Sequence, residues 1–382
     1  MTPRERVVAA FEHREPDRTP IFEKLIKSPI ADELLGRPCA ASNLEYQMQR
    51  LADGDWEGLQ RQSARDLVDL SKMLGFDLVR LPRNGGEPPL EQRPRRLEPG
   101  VWQVGSMVAE VLDKGWVRWR PVEPEPRRSE AEQESALRQS LEDEPDEPVL
   151  HDSTFLVIRE GRRIIEQEGL DLAVFSEVYA IGAATLPAFV FCWFATEPDL
   201  LHRYYRRSHV PAMATIRRLV QEGVDIVALG GDLACDLGPM VSPAHYREFI
   251  MPYIRQQAEL CHSLGAYCTN ATDGDIWPIL DDFILGTGVD GYEEIDFAAG
   301  MDLPRLKAKC GENCVFVGNV DIRHTLTSGT VEQVRAHTVA CIEAGWGNGG
   351  HVLMSGNCIH EDCKTDLFLA HLQAYRDYFG LS

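Results

Sequence analysis

From about residue 170 onward, short runs rich in β-branched and aromatic residues alternate with longer amphipathic segments. This alternation constrains the fold more than any other feature, because it is the pattern of βα units that build a parallel sheet. Strands are predicted at LAVFS (172–176), DIVALG (225–230), AYCTN (266–270), VDGYEEI (289–295), CVFVGNV (314–320) and HVLMSG (351–356). The helices between them carry start and stop residues. Over 243–265, Ser242 is the N-cap, Pro243 takes the first helical position and Gly265 closes the helix. Over 330–345, Thr330 stands three residues before Gln333 and Gly345 ends the run. Two earlier runs, RTPIFEKL (18–25) and FDLVRLP (76–82), bring the count to eight. Eight strands with helices between them predict an α/β fold, a (β/α)8 TIM-type barrel.

One segment departs from the alternation. Residues 83–150 hold VWQVG, VAEVLD and GWVRWRP, which predict an inserted antiparallel hairpin or meander, followed by a Pro/Glu/Arg-rich stretch read as a surface helix with flexible flanks. The expected organisation is a single barrel domain over 1–382 with an insertion at about 83–150. The insertion could serve as a lid or as an arm for a homodimer. No internal repeat of fixed period is evident.

Composition narrows the setting. No apolar run approaches the roughly 18 residues of a membrane-spanning helix, and MTPRERVVAAFEH reads as a first amphipathic helix rather than a secretory signal. A membrane partner is therefore not expected, and a cytoplasmic location is. A net charge of −21 argues against nucleic acid, whose binding relies on basic surface. Ten cysteines without a regular framework fit reduced thiols, and Cys192, Cys310, Cys314 and Cys341 are expected to fill the core.

In parallel barrels, functional groups gather at the C-terminal ends of strands. The residues there are Glu23, Arg80 and Arg83, Glu177 and Tyr179, Asp232 and Asp236, Asp273, Glu293, Glu294 and Asp296, Asn319 and Asp321, and Asn357, Cys358 and His360. Carboxylates converging on one mouth repel each other, which raises the pKa of at least one or calls for a cation. Each single Asp or Asn can instead cap a helix, the plainer reading for Asp296 and Asp321. Asp232 and Asp273 each adjoin a glycine that lets the backbone come close, and Asp275 is better placed than Asp273 to cap the helix that follows. Cys358, His360 and Cys363 are of zinc-ligand type, and a catalytic site could borrow a fourth ligand from Asp273, Glu177 or Cys268. The alternative is packing for the two cysteines and a loop role for His360. No GxSxG elbow, Walker loop or dinucleotide glycine fingerprint is present.

Several longer stretches carry a resemblance: MTPRERVVAAFEHREPDRTPI, GGDLACDLGPMVSPAHYREFIMPY, TDGDIWPILDDF, GVDGYEEIDFAAGMDLPRLKAKCG, VFVGNVD and GGHVLMSGNCIH. With these the chain resembles the uroporphyrinogen decarboxylase superfamily, which also contains cobalamin-dependent methyltransferases. The resemblance implies a distorted (β/α)8 barrel with its active site at the C-terminal mouth. It also exposes departures. Where uroporphyrinogen decarboxylases carry an arginine-rich RQAGR loop, this chain reads FEKLIKSPI; their late GHG histidine falls at Asn357, and their active-site tyrosine near Phe189. Where thiol-activating methyltransferases of the superfamily bind zinc through a His-x-Cys pair, this chain has Ala271 and Asp273. Their third ligand aligns with Asn357, one residue from Cys358. The TDG variant is similar to a decarboxylase-like branch in which demethylases that pass a methyl group to a corrinoid protein are expected.

The resemblance thus implies methyl transfer from a small methylated substrate to a corrinoid (cobalamin) protein partner. Asp273, Asp232 and Glu177 would be catalytic, and Glu23, Tyr179, Arg80, Asn319 and Asn357 would bind substrate. Zinc, if used, would sit on Cys358 and His360. Two alternatives stand beside it: a decarboxylase for a smaller acid held by Arg80 and Arg83, and a non-catalytic protein binding a small molecule or corrinoid.

Overall fold

The computed structural model describes residues 1–123 and 128–381; part of the charged stretch read as a flexible flank, 124–127, lies outside them. In chain order the strands are β1 (Leu78–Arg80), an inserted group β2 (Arg95–Glu98), β3 (Val101–Val104), β4 (Met107–Val111) and β5 (Val117–Pro121), then β6 (Ala173–Glu177), β7 (Ile226–Gly230), a small hairpin β8 (Ala234–Cys235) and β9 (Gly238–Pro239), and β10 (Tyr267–Ala271), β11 (Gly291–Glu293), β12 (Val315–Val317) and β13 (His351–Val352). Seven of them form one parallel sheet in the order β1-β6-β7-β10-β11-β12-β13.

The eighth stave is the run predicted at 18–25, reduced to a short extended segment. Phe22 N–H donates to Leu353 O (3.0 Å), Leu353 N–H to Pro20 O (2.8 Å) and Asp77 N–H to Ile21 O (2.9 Å). Residues 20–22 therefore bridge β13 to β1 and close the barrel. The buried Asp77 carboxylate fixes this seam by accepting from Ile21 N–H, Arg18 and Arg6.

Side chains alternate across each strand. Phe22, Leu78, Phe175, Ala228, Val317 and Met354 fill the barrel interior, and Val7 and Phe11 of the helix Pro3–Phe11 plug its lower end. Residues of opposite parity, such as Val174, Val227 and Leu229, pack outward under the helices. The inserted strands make a separate antiparallel sheet, β2-β3-β4-β5, around the buried Trp102, and an exposed helix, Glu130–Ser140, follows it.

Two expectations change in detail. The helix predicted over 243–265 begins at Ser242 as expected, but a π-helical turn, Tyr246–Ile250, interrupts it before Met251–Ser263. Pro252 has no N–H to return to the preceding turn, and the wider turn absorbs the missing bond. Cys192 is exposed rather than a core residue, whereas Cys310, Cys314 and Cys341 are buried. Among the described residues no helix is long and apolar enough to cross a membrane.

Candidate active site

At the C-terminal ends of the strands the inward-facing positions change from apolar to charged. Arg80 follows Leu78 in β1, Glu177 follows Phe175 in β6, and Glu293 follows Gly291 in β11. Lys24 follows Phe22 on the closing stave and is buried. Its ammonium donates to Tyr179 Oη (3.1 Å) and to Glu294, and lies 4.0 Å from Glu293. Thr269 Oγ1 donates to Glu293 (3.1 Å), and Tyr179 Oη lies 3.4 Å from the same oxygen. Glu294 reaches Lys24 from a left-handed backbone, φ 62°. That conformation costs a non-glycine residue on the order of 1–2 kcal/mol, and here it aims a carboxylate into the mouth.

Above this charged layer lies a cavity of about 340 Å³ whose wall includes Tyr179, Gly182, Asp232, Asp273, Glu294 and Asn357. Asn357 Nδ2 donates to both oxygens of Asp273, at 3.1 and 2.9 Å. Burial, and next the charge of Glu294, push the Asp273 carboxyl up to about 7 against the opposing Asn357 bond. Burial likewise raises Glu293 to about 7 against the pull of Lys24. Partial burial and Glu294 raise Asp232. Burial works to lower the Lys24 ammonium, but Glu293 and Glu294 outweigh it and hold it raised. Tyr179 is 43% exposed and lines the cavity, while its hydroxyl is lodged between Lys24 and Glu293. The site is thus an acidic mouth able to hold protonated carboxyls near neutrality.

Asp273, Asp232, Tyr179 and Asn357 come together as the sequence implies. Asp275, not Asp273, takes the local capping role, accepting from Trp277 N–H at 2.8 Å. Asp296 caps Ala299, and Asp321 accepts from Arg323 and Thr325.

Other expectations are corrected. Glu23 does not face the mouth: it alternates with Phe22 and Lys24, so its carboxyl points outward to Ser355 N–H (3.0 Å) and Ser355 Oγ (2.6 Å), beneath His371. Burial pushes it up to about 8. Glu177 and Arg80 are bonded to each other, with Arg80 Nε at 3.0 Å, and the pair lines a cavity beside the one that holds Asp273. Asn319 is spent on Met301 O (2.8 Å) and the Cys341 thiol. The pair Cys358 and His360 gains no third ligand among the described residues. His360 Nδ1 accepts from Asp362 N–H (3.2 Å), Cys363 is core, and Cys268 sits on the outer face of β10, away from the mouth. Cys358 and His360 are therefore not brought together with a further zinc-type donor among the described residues.

Sequence reasoning passed over Lys24 and left Glu293 and Glu294 as two names in a longer series. The alternation that turns Glu23 outward turns Lys24 inward, on the same side as Phe22 two residues earlier.

Residues 174–378 match the uroporphyrinogen decarboxylase (URO-D) family. Among solved structures, a methyltransferase from Methanosarcina mazei aligns over 99% of this chain and 99% of its own at a TM-score of 0.64 and 19% identity, which shows a shared fold over the full length. A D-psicose 3-epimerase from Clostridium cellulolyticum H10 (TM-score 0.34, 12% identity, 67% of this chain and 95% of that one) and a xylose isomerase-like TIM barrel protein from Mycobacterium smegmatis (0.33, 14%, 66% and 90%) are more distant. No curated protein sequence matches the chain.

Proposed function

The chain belongs to the uroporphyrinogen decarboxylase family, and from that premise we propose that it is a methyltransferase that demethylates a small methyl ether, with a corrinoid protein receiving the methyl group. The observation that carries this reading is the Asp273 carboxyl, raised to about 7 on the wall of the cavity and oriented by Asn357. An ether releases its methyl group only with a poor alkoxide leaving group, so the oxygen must gain a proton as the methyl–oxygen bond breaks. A carboxyl that is still partly protonated near pH 7 supplies that proton; the alcohol leaves neutral and Asp273 becomes a carboxylate. Asp232 and Tyr179 line the same space and would orient the substrate.

The cavity accepts a small molecule, and a corrinoid macrocycle exceeds about 340 Å³. The corrinoid would therefore come to the mouth on a partner protein, where it supplies the nucleophile that takes the methyl group. No step is assigned to zinc, because Cys358 and His360 meet no third donor among the described residues. Of the two arginines that support the decarboxylase reading, Arg80 is paired with Glu177, and Arg83 lines a neighbouring cavity. Lys24 is likewise held by Glu294.

The test is incubation with cob(I)alamin and a panel of small methyl ethers and methylamines, following loss of cob(I)alamin absorbance and release of the alcohol. Turnover of an ether that falls about 10²- to 10⁴-fold in Asp273→Asn is expected. No turnover across the panel, or carbon dioxide release from a small acid, overturns the proposal.

A further inference from the structure

The end of the barrel opposite the mouth holds a second group of chemically able side chains. His262 lies in the last turn of the helix Met251–Ser263, Cys268 in β10, and Asp290 immediately before β11. One donor atom from each gathers in a single place, all within 4.8 Å of one another. His262 Nε2 is 2.9 Å from Asp290 Oδ2 and 3.8 Å from Cys268 Sγ, and Asp290 Oδ2 also accepts from Cys268 N–H at 2.8 Å.

This arrangement is not a proton relay of the Cys-His-Asp kind. A relay uses the two imidazole nitrogens separately, one toward the thiol and the other toward the carboxylate. Here the same nitrogen, Nε2, faces both. Donors that face one point are arranged as ligands around a common centre. Bonds of about 2.0–2.3 Å to nitrogen, oxygen and sulfur place the corners of a tetrahedron about 3.3–3.8 Å apart. Two of the separations, 2.9 and 3.8 Å, lie close to that spacing, and the third is within 4.8 Å. Cys268 is fully buried, whereas the His262 side chain is 42% exposed and that of Asp290 25%. The soft donor is thus held inside, and the way in is open from solvent.

We propose that His262 Nε2, Cys268 Sγ and an Asp290 carboxylate oxygen, with solvent in the fourth position, bind a zinc-type divalent cation as a clip. Binding forms one metal–sulfur bond, and the Cys268 thiol proton leaves to solvent. The clip joins the helix end, the start of β10 and the turn into β11 at the N-terminal face of the barrel, the face that serves stability rather than chemistry.

Cobalt(II) is a suitable probe, because tetrahedral thiolate ligation gives it intense absorption. Full-length protein stripped with a chelator and then reduced is titrated with cobalt(II), with zinc(II) as competitor and thermal melting as a second readout. One equivalent is expected to produce thiolate-to-cobalt charge transfer, zinc to bleach it, and either metal to raise Tm. His262→Ala, at an exposed position, is expected to keep the fold and weaken affinity at least about tenfold. Cys268→Ala abolishes the charge transfer, whereas Cys358→Ser at the mouth leaves it intact. Absence of charge transfer at one equivalent, or its loss in Cys358→Ser and not in His262→Ala, overturns the proposal.

Discussion

The work of Asp273 depends on its neighbours in sequence. Gly274 has φ 85°, and a Cβ there would lie 2.7 Å from the backbone of Ala234 and Cys235. Gly274→Ala should lose about 1–3 kcal/mol of stability and displace Asp273, seen as a lower denaturation midpoint together with lost turnover. Asp273 itself gives a pH signature. Its carboxyl is raised from 3.8 to about 7 on folding, so the folded chain keeps a proton that the unfolded chain has released. The associated stability is fully present below pH 4 and is lost as pH climbs through 7. Asp273→Asn should therefore melt higher than the parent at pH 8, with the difference shrinking toward pH 5. Turnover that needs the acid form should fall above pH 7 in the parent, and thermal melts and rate profiles across pH 5–9 check both statements. Lys24 is the counterpart on the basic side. Lys24→Met leaves Glu293 and Glu294 facing each other without their cation, and a loss of about 3–5 kcal/mol is expected by chemical denaturation.

At the scale of elements, local sequence chemistry and long-range pairing separate cleanly. Thr330 and Gln333 form a reciprocal capping box on the helix Val331–Gly345. Thr330→Ala should cost about 1 kcal/mol in urea unfolding and leave turnover unchanged, because the helix touches none of the mouth groups. Such caps are legible from the sequence because donor and acceptor stand three residues apart. The seven paired strands were legible for a related reason, each being an apolar run bounded by helix signals. The closing stave was legible as a strand but not in its facing, since Phe22, Glu23 and Lys24 offer one apolar residue beside two charged ones. Only the ring of neighbours decides which parity faces inward. The pairing of Arg80 with Glu177 joins β1 to β6 across 97 residues, and no spacing rule links them. The assembly of His262, Cys268 and Asp290 likewise appears only when the helix is folded onto its strands.

At the scale of the whole molecule, the charge of the chain and the charge of the mouth act in the same direction. The net charge is −21, and Asp232, Asp273 and Glu294 line the cavity while Lys24, Arg80 and Arg323 are paired with Glu294, Glu177 and the carboxylates of Asp236 and Asp296. An anionic molecule approaching such a site meets repulsion first from the surface field and then from the cavity wall, whereas a neutral ether meets neither. Solvent ions shorten the reach of that field to about 10 Å at 0.1 M and about 3 Å at 1 M. Two substrates alike in shape, one neutral and one carrying a carboxylate, should therefore separate under salt. The kcat/KM for the neutral ether should stay nearly flat from low to high ionic strength. For the carboxylated analogue it should start lower and rise severalfold, with the change in KM. A carboxylated substrate preferred at low salt would place an unpaired cation in the mouth and remove the basis for choosing demethylation over decarboxylation.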